Sequence, residues 1–346
     1  GHNNVAIGQA ALDALTTGLC NTGIGINSLG TSTTGCYNVA IGPVAMGGGV
    51  TTGNDNIAIG KTTMDALTTG LANVGIGPNA LGASTTGCYN IAIGSTALGG
   101  AITTGINNIA LGTNAMDALT SGIDNVAIGQ DAYGAATTGC ENIAIGKTAM
   151  GAGVTTGYDN TAIGRKAADA LTTGQYNVAM GKDALGASTT GCFNIAIGAV
   201  ALGAGVTTGT DNVAIGQNAS TKVTSGSYNV ALGQDALCTL TTSSDNVAVG
   251  RLTLAKSTTG NNNVALGAGA MGNSDTTGHC NIAIGKNTAD ALTTGCDNVA
   301  MGRGAMGDAT TACNNVAIGL SAMGLATLSG KCNVAIGSNA SDALTS

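Results

Sequence analysis

The sequence predicts an all-β protein: a parallel β-solenoid (β-roll or β-helix) with one 17–18-residue repeat per coil, about 20 coils, assembled as a trimer. Three observations carry this prediction. The first is a tandem repeat. Asn followed by an apolar triplet and Gly recurs from end to end, and the Asn falls at Asn4, Asn21, Asn38, Asn56, Asn73, Asn90, Asn108, Asn125, Asn142, Asn160, Asn177 and Asn194, then on to Asn333. The second is the period. A unit of 17 or 18 residues has no room for a helix of ordinary length plus strands and turns, but it fits one coil that stacks on the next. The third is composition. Gly is 58 of 346 residues, aromatics are 2 % and charged residues 8 %, so the core must be built from many small and aliphatic side chains.

Each element of the repeat has a physical reason. In "NVAIG" the β-branched Val and Ile fit a pleated strand. Gly8 ends that strand, and Gly8 and Gly18 turn corners that other residues resist. A second short segment carries Ala11 and Leu12, and "TTG" makes the next corner. Identical Asn side chains stacked at coil spacing form an amide ladder, and Asn tolerates turn conformations. A row of amides that binds a ligand is the other reading of this column. Coils advancing about 4.8 Å each would give a rod on the order of 95 Å long.

Alternation sets the facing. Val5 and Ile7 point one way and Ala6 the other. With Val and Ile filling the interior, the Ala row lies outside, and a charge at Ile128 (Ile128→Asp) would break local stacking. The Ala position is Gly at Gly23 and Gly75 and is never charged. A small residue kept on an outer face indicates close packing of a neighbouring chain, hence self-association, with a trimer the natural closed arrangement. The alternative is that a narrow strand edge demands a small residue.

A superperiod sits on the repeat. Steps of 17, 17 and 18 make a 52-residue block used four times, with the extra residue in "GGGVTTG" and "GAGVTTG". This permits a rival architecture in which three repeats form the sides of one broad coil, stacking Cys36, Cys88, Cys140 and Cys192 directly.

No catalytic, cofactor or metal constellation is present, so an enzyme is not expected. Cys280 beside His279 is the nearest thing to a nucleophile pair, and sequence neighbours on a strand or turn face apart. Stacking suggests three candidate disulfides at one corner: Cys20 with Cys36, Cys280 with Cys296, and Cys313 with Cys332. The alternative is that each Cys is a small buried hydrophobe. Met46, Met64, Met116, Met150, Met271, Met306 and Met323 alternate with Leu at one repeat position and read as core. Asp55, Asp124, Asp159, Asp211, Asp245 and Asp297 precede the ladder Asn and read as turn residues, with a calcium row as the alternative. The Thr pairs lie at turns, which argues against ice binding. Net charge is −7 and no basic patch occurs, so nucleic acid is not an expected partner. No apolar run approaches the length of a membrane span. Residues 1–346 read as one continuous repeat region that begins and ends inside the repeat, as a fragment of a longer fibre would.

The "NVAIG" motif followed by small residues and Gly resembles the head repeats of YadA-type trimeric adhesins. The longer unit "NNVAIGQAALDALTTG" resembles repeats of bacteriophage tail fibres and marine bacterial surface proteins. The first resemblance implies a trimer of left-handed β-rolls, although those repeats are shorter than 17 residues. Together they imply an extracellular or virion fibre shaft that supports attachment to a host-surface receptor or glycan. A self-assembling extracellular filament without an adhesive head is the alternative.

Overall fold

The computed structural model describes residues 1–324 and 329–341. Its strands are twenty three-residue segments, from β1 (Val5–Ile7) and β2 (Thr22–Ile24) to β19 (Val316–Ile318) and β20 (Val334–Ile336), and no helix occurs among the described residues. Contacts divide the chain into two compact units, Gly1–Gly174 and Gln175–Ser346. Each is a parallel β-solenoid of ten strands, one strand per repeat.

Register fixes the coil. β1 pairs in parallel with β2 through Val5↔Thr22, Ala6↔Gly23 and Ile7↔Ile24, and β8 (Val126–Ile128) pairs with β9 (Ile143–Ile145) in the same way. Successive repeats are therefore successive coils, and the broad 52-residue coil is ruled out. The ladder continues beyond the strands. Asn27 donates its N–H to the Gln9 carbonyl at 2.8 Å, and Leu12 donates to Ser28 at 3.0 Å. Most of these backbone bonds thus reach one coil away, and turns such as Ala11 N–H to Gly8 and Ser28 N–H to Gly25 close within a coil.

The facing is the reverse of the sequence expectation. Ala40, Ala58, Ala92, Ala110 and Ala127 are fully buried, whereas Ile57, Ile59, Ile93 and Ile128 stand 36–40 % exposed. The reason is cross-section. The residue eight places after the ladder Asn, a Leu or Met (Leu29, Met46, Met64, Leu81, Leu98, Met116), turns inward and is fully buried. It fills the space under the strand. A methyl added at Gly75 would meet Thr63 Cγ2 at 2.8 Å and Met64 Cε at 3.0 Å; one at Gly23 would meet Leu12 Cγ at 3.2 Å. Nothing larger than Ala fits, so Val and Ile must face out. The small residue is kept by the chain's own opposite wall. The seven Met singled out from the sequence are all buried to within 1 %.

Backbone conformation explains why coils can be this tight. Gly8, Gly25 and Gly42 sit at φ near 130°, a region closed to other residues. A Cβ at Gly25 would lie 2.6 Å from the Gly42 carbonyl oxygen. Gly18 has no left-handed φ; it is required because a Cβ there would lie 2.3 Å from the Gly35 oxygen. Three further positions per coil are left-handed, and nearly all of them are not Gly, for example Tyr37 (φ 59°), Val44 (φ 58°) and Met46 (φ 50°). Such angles cost about 1–2 kcal/mol each in an isolated chain and persist where neighbours over-determine them. Here the stacked coils above and below do so.

One coil departs from the pattern. Tyr133 takes the inward Leu/Met position and is fully buried. Its oxygen accepts from Asn142 Nδ2 at 2.6 Å. Ala136 stands where Leu67 and Leu119 stand in other coils, which makes room for the larger ring. Burial pushes the Tyr133 phenol far above its usual range, so it remains neutral.

Candidate interaction face and corner columns

The strand face that points outward is the most unusual surface of the molecule. Of the two outward positions on all twenty strands, Thr22 and Thr161 are the polar occupants; every other is Val, Ile, Leu or Met. Away from the end strands β1 and β20, those exposed lie between 36 and 44 % accessible, among them Ile76, Ile143, Met180, Ile215, Leu266 and Met301. Parallel sheets are ordinarily covered on both faces. Here the inner face is covered by the chain's own Leu and Met, and the outer face is bare. Ten coils at about 4.8 Å, bearing two rows roughly 7 Å apart, give each unit an apolar strip on the order of 43 Å by 12 Å, about 500 Å². A contiguous patch of that size lies toward the upper end of what monomers expose.

Behind this face runs the Asn ladder. Asn21 donates its backbone N–H to Asn4 Oδ1 at 2.8 Å, and Asn38 donates to Asn21 Oδ1 at 2.9 Å. Most amides also donate Nδ2 to a Gly carbonyl 14 or 15 residues on; Asn21 reaches Gly35 at 2.7 Å and Asn56 reaches Gly70 at 3.0 Å. Asn73, Asn90, Asn108, Asn125, Asn142 and Asn194 repeat the backbone-to-amide bond, as does Asn160 on Asn142, and Asn177 donates Nδ2 to Gly191 at 2.8 Å. These side chains are buried and occupied with the chain itself, so the column offers no amide row to a ligand.

Two outward columns flank the ladder. In the column directly before the Asn, Asp124, Glu141 and Asp159 follow one another on successive coils. The hydrogen bond with Asp159, then its charge, raises the Glu141 carboxyl above the usual range, with Asp124 adding to the effect. No group of three or more His, Cys, Asp or Glu that could hold a metal occurs among the described residues. In the same column Tyr176 and Phe193 stack at 4.9 Å between ring centres. The Thr corners are tied inward: Thr68 and Thr120 donate their hydroxyls to Thr85 and Thr137 carbonyls at 3.0 Å.

All ten cysteines are free thiols. Cys20, Cys36, Cys280 and Cys332 therefore form none of the bonds expected from the sequence. Those pairs joined residues one and two places before the Asn, and in-register stacking puts these in different columns. Cys20 lies near Asn3, whose Nδ2 is 4.0 Å from its sulfur, and Cys36 accepts from Leu19 N at 3.4 Å. The two sulfurs that stacking does bring together are Cys296 and Cys313, at 3.0 Å. Both lie two places before the ladder Asn on successive coils, a rule readable from the sequence once each column is kept separate.

The superperiod also acquires a structural role. Each extra residue swells a coil, and the following coil presents an Asp to several of these swellings, although Thr221 stands in that place after the swelling at 203–209. Asp169 Oδ1 accepts from Ala152 N at 3.1 Å, and Asp290 Oδ1 from Asn273 N at 3.1 Å. Asp117 lies in the same place, with its carboxyl raised by burial and held down in part by the Gly100 N–H. No helix is long and apolar enough to cross a membrane among the described residues. No protein-family model matches the chain, and no curated protein matches its sequence.

Proposed function

We propose that this chain is a structural segment of an extracellular or virion fibre, and that it associates with further copies of itself through the Val/Ile face. The observation that carries this reading is the bare outer face of a parallel sheet. It is apolar at nearly every position on twenty strands and holds no charge. Each strip alone, at about 500 Å², is more than half of the roughly 800 Å² per partner that a stable complex buries. A rigid self-braced core, little titratable chemistry and repetition from end to end suit a spacer better than a catalyst. The self-association inferred from the sequence is retained, but its surface moves from the Ala row to the Val and Ile rows. A homotrimer with three such faces turned to a common axis is the closed form that hides all of them. A receptor or glycan would be met elsewhere on the fibre.

Light scattering coupled to size exclusion tests this. The wild-type chain of 33.0 kDa should elute as a multiple of its mass. Ile59→Lys, Ile93→Lys and Ile128→Lys together should give the single-chain mass with an unchanged far-UV spectrum. A wild-type mass of one chain at tens of micromolar would end the self-association reading.

A further inference from the structure

We propose that Cys296 and Cys313 form a redox site: a vicinal-coil dithiol that closes to a disulfide and staples two neighbouring coils of the second unit. The Sγ atoms are already 3.0 Å apart, so closing to the bond length of about 2.05 Å needs a movement of about 1 Å. Coil spacing of about 4.8 Å falls inside the Cα separation that disulfides span, and neither coil has to shift. Both thiols lie at a partly exposed corner within reach of a small oxidant. Position supports the pairing independently of the sulfur contact. The backbone N–H of Cys296 points at Cys313 Sγ at 3.3 Å, which fixes the acceptor sulfur beneath the donor coil.

The contact also orders the chemistry. Cys296 shares its proton with Cys313, and its thiol is pushed up to about 12 by that hydrogen bond first and by burial second. Cys313 Sγ, toward which both the Cys296 N–H and its S–H point, is the sulfur placed to attack first. With glutathione disulfide as oxidant, the Cys313 thiolate attacks one glutathione sulfur, forms the mixed disulfide and releases one glutathione. Cys296 then gives its proton to solvent, attacks Cys313 Sγ, and displaces the second glutathione. Two electrons pass from the protein thiols to the oxidant, one S–S bond is broken and one is made. The neighbours Cys280 and Cys332 are exposed and occupy the adjoining column. They are the natural competitors for the same sulfurs.

Peptide mapping separates every pairing, because trypsin cuts at Lys256, Lys286, Arg303 and Lys331. Cys280, Cys296, Cys313 and Cys332 then fall in the separate segments 257–286, 287–303, 304–331 and 332–346. Folded full-length protein is equilibrated in glutathione buffers of rising oxidised fraction, quenched in acid, unfolded, blocked with N-ethylmaleimide and digested. The expected result is a linked 287–303/304–331 species and loss of both maleimide labels from those segments, abolished by Cys313→Ser. The same protein oxidised in urea should scatter its linkages. Three results overturn the proposal: linkage of 257–286 to 287–303, linkage of 304–331 to 332–346 in its place, or full maleimide labelling of Cys296 and Cys313 at the most oxidising poise.

Discussion

Replacing Asn125 by Ala isolates what the buried ladder contributes. Its Oδ1 accepts the Asn142 backbone N–H at 3.0 Å, and its Nδ2 donates to the Gly139 carbonyl at 2.8 Å. Truncation leaves both groups without those partners inside a site that water does not reach, since Asn125 and Asn142 are buried to within 1 %. The weaker amide-to-amide bonds to Asn108 and from Asn142, at 3.0 and 3.3 Å, are lost as well. Leaving a buried donor or acceptor unsatisfied costs about 1–3 kcal/mol, so two orphans predict a loss of roughly 2–6 kcal/mol. Because stability in a stacked repeat is a sum of neighbour terms, the damage should concentrate at the coils that meet there. Hydrogen exchange read by mass spectrometry is the assay. Segments around residues 125–145 should lose protection while those near residue 40 keep theirs, and the urea midpoint of the first unit should fall. Unchanged protection around Asn142 would refute the claim that the amides hold coil to coil.

Further predictions follow from the same geometry. Ala127→Asp places a charge in the core against Leu and Met, and should abolish cooperative unfolding of the first unit; Ile128→Asp in the same strand should change the melting midpoint far less and act on association instead. Tyr133→Phe removes one acceptor of Asn142 Nδ2, which keeps Gly157 O at 2.9 Å, so a loss of about 1 kcal/mol is expected by urea titration. Glu141 has a folded-state carboxyl raised by Asp159 and Asp124. Its favourable contribution is therefore present below the ordinary carboxylate range and lost as pH rises through the raised value. Glu141→Gln should flatten that part of the stability profile relative to wild type, and identical profiles would contradict the coupling.

Much of the architecture is legible in the sequence because the period is. Asn4 to Asn21 to Asn38 gives the coil length, the coil length excludes helices, and the short "VAI" gives the strand. The direction of that strand's faces is not legible from alternation, which is symmetric. Its sign is set by the volume competing for the interior. The clue lies at other positions: Thr22 and Thr161 replace Val on the outer face, whereas the Ala column admits only Gly23 and Gly75 in exchange. A column that accepts polarity is solvent-facing; one that accepts nothing but less volume is crowded. The left-handed angles at Cys20, Tyr37 and Met46 left no compositional trace, because the stack rather than the residue stabilises them. The disulfide expectation failed for the related reason that two columns one residue apart diverge in space.

The junction after each swollen coil has a consequence for how such a chain can change length. Coils that look interchangeable differ at the junctions after a swelling, where the following coil meets the extra backbone N–H, with the Asp169 carboxylate at Ala152 and the Thr221 carbonyl at Ala204. Losing or duplicating a single repeat would change the order of plain and swollen coils. Losing or duplicating three between Asn4 and Asn212 keeps the order of plain and swollen coils. Within the four regular blocks from Asn4 to Asn212 the gene can therefore be lengthened or shortened in steps of 52 residues with the order of plain and swollen coils preserved, and recombination between those copies becomes a means of adjusting reach.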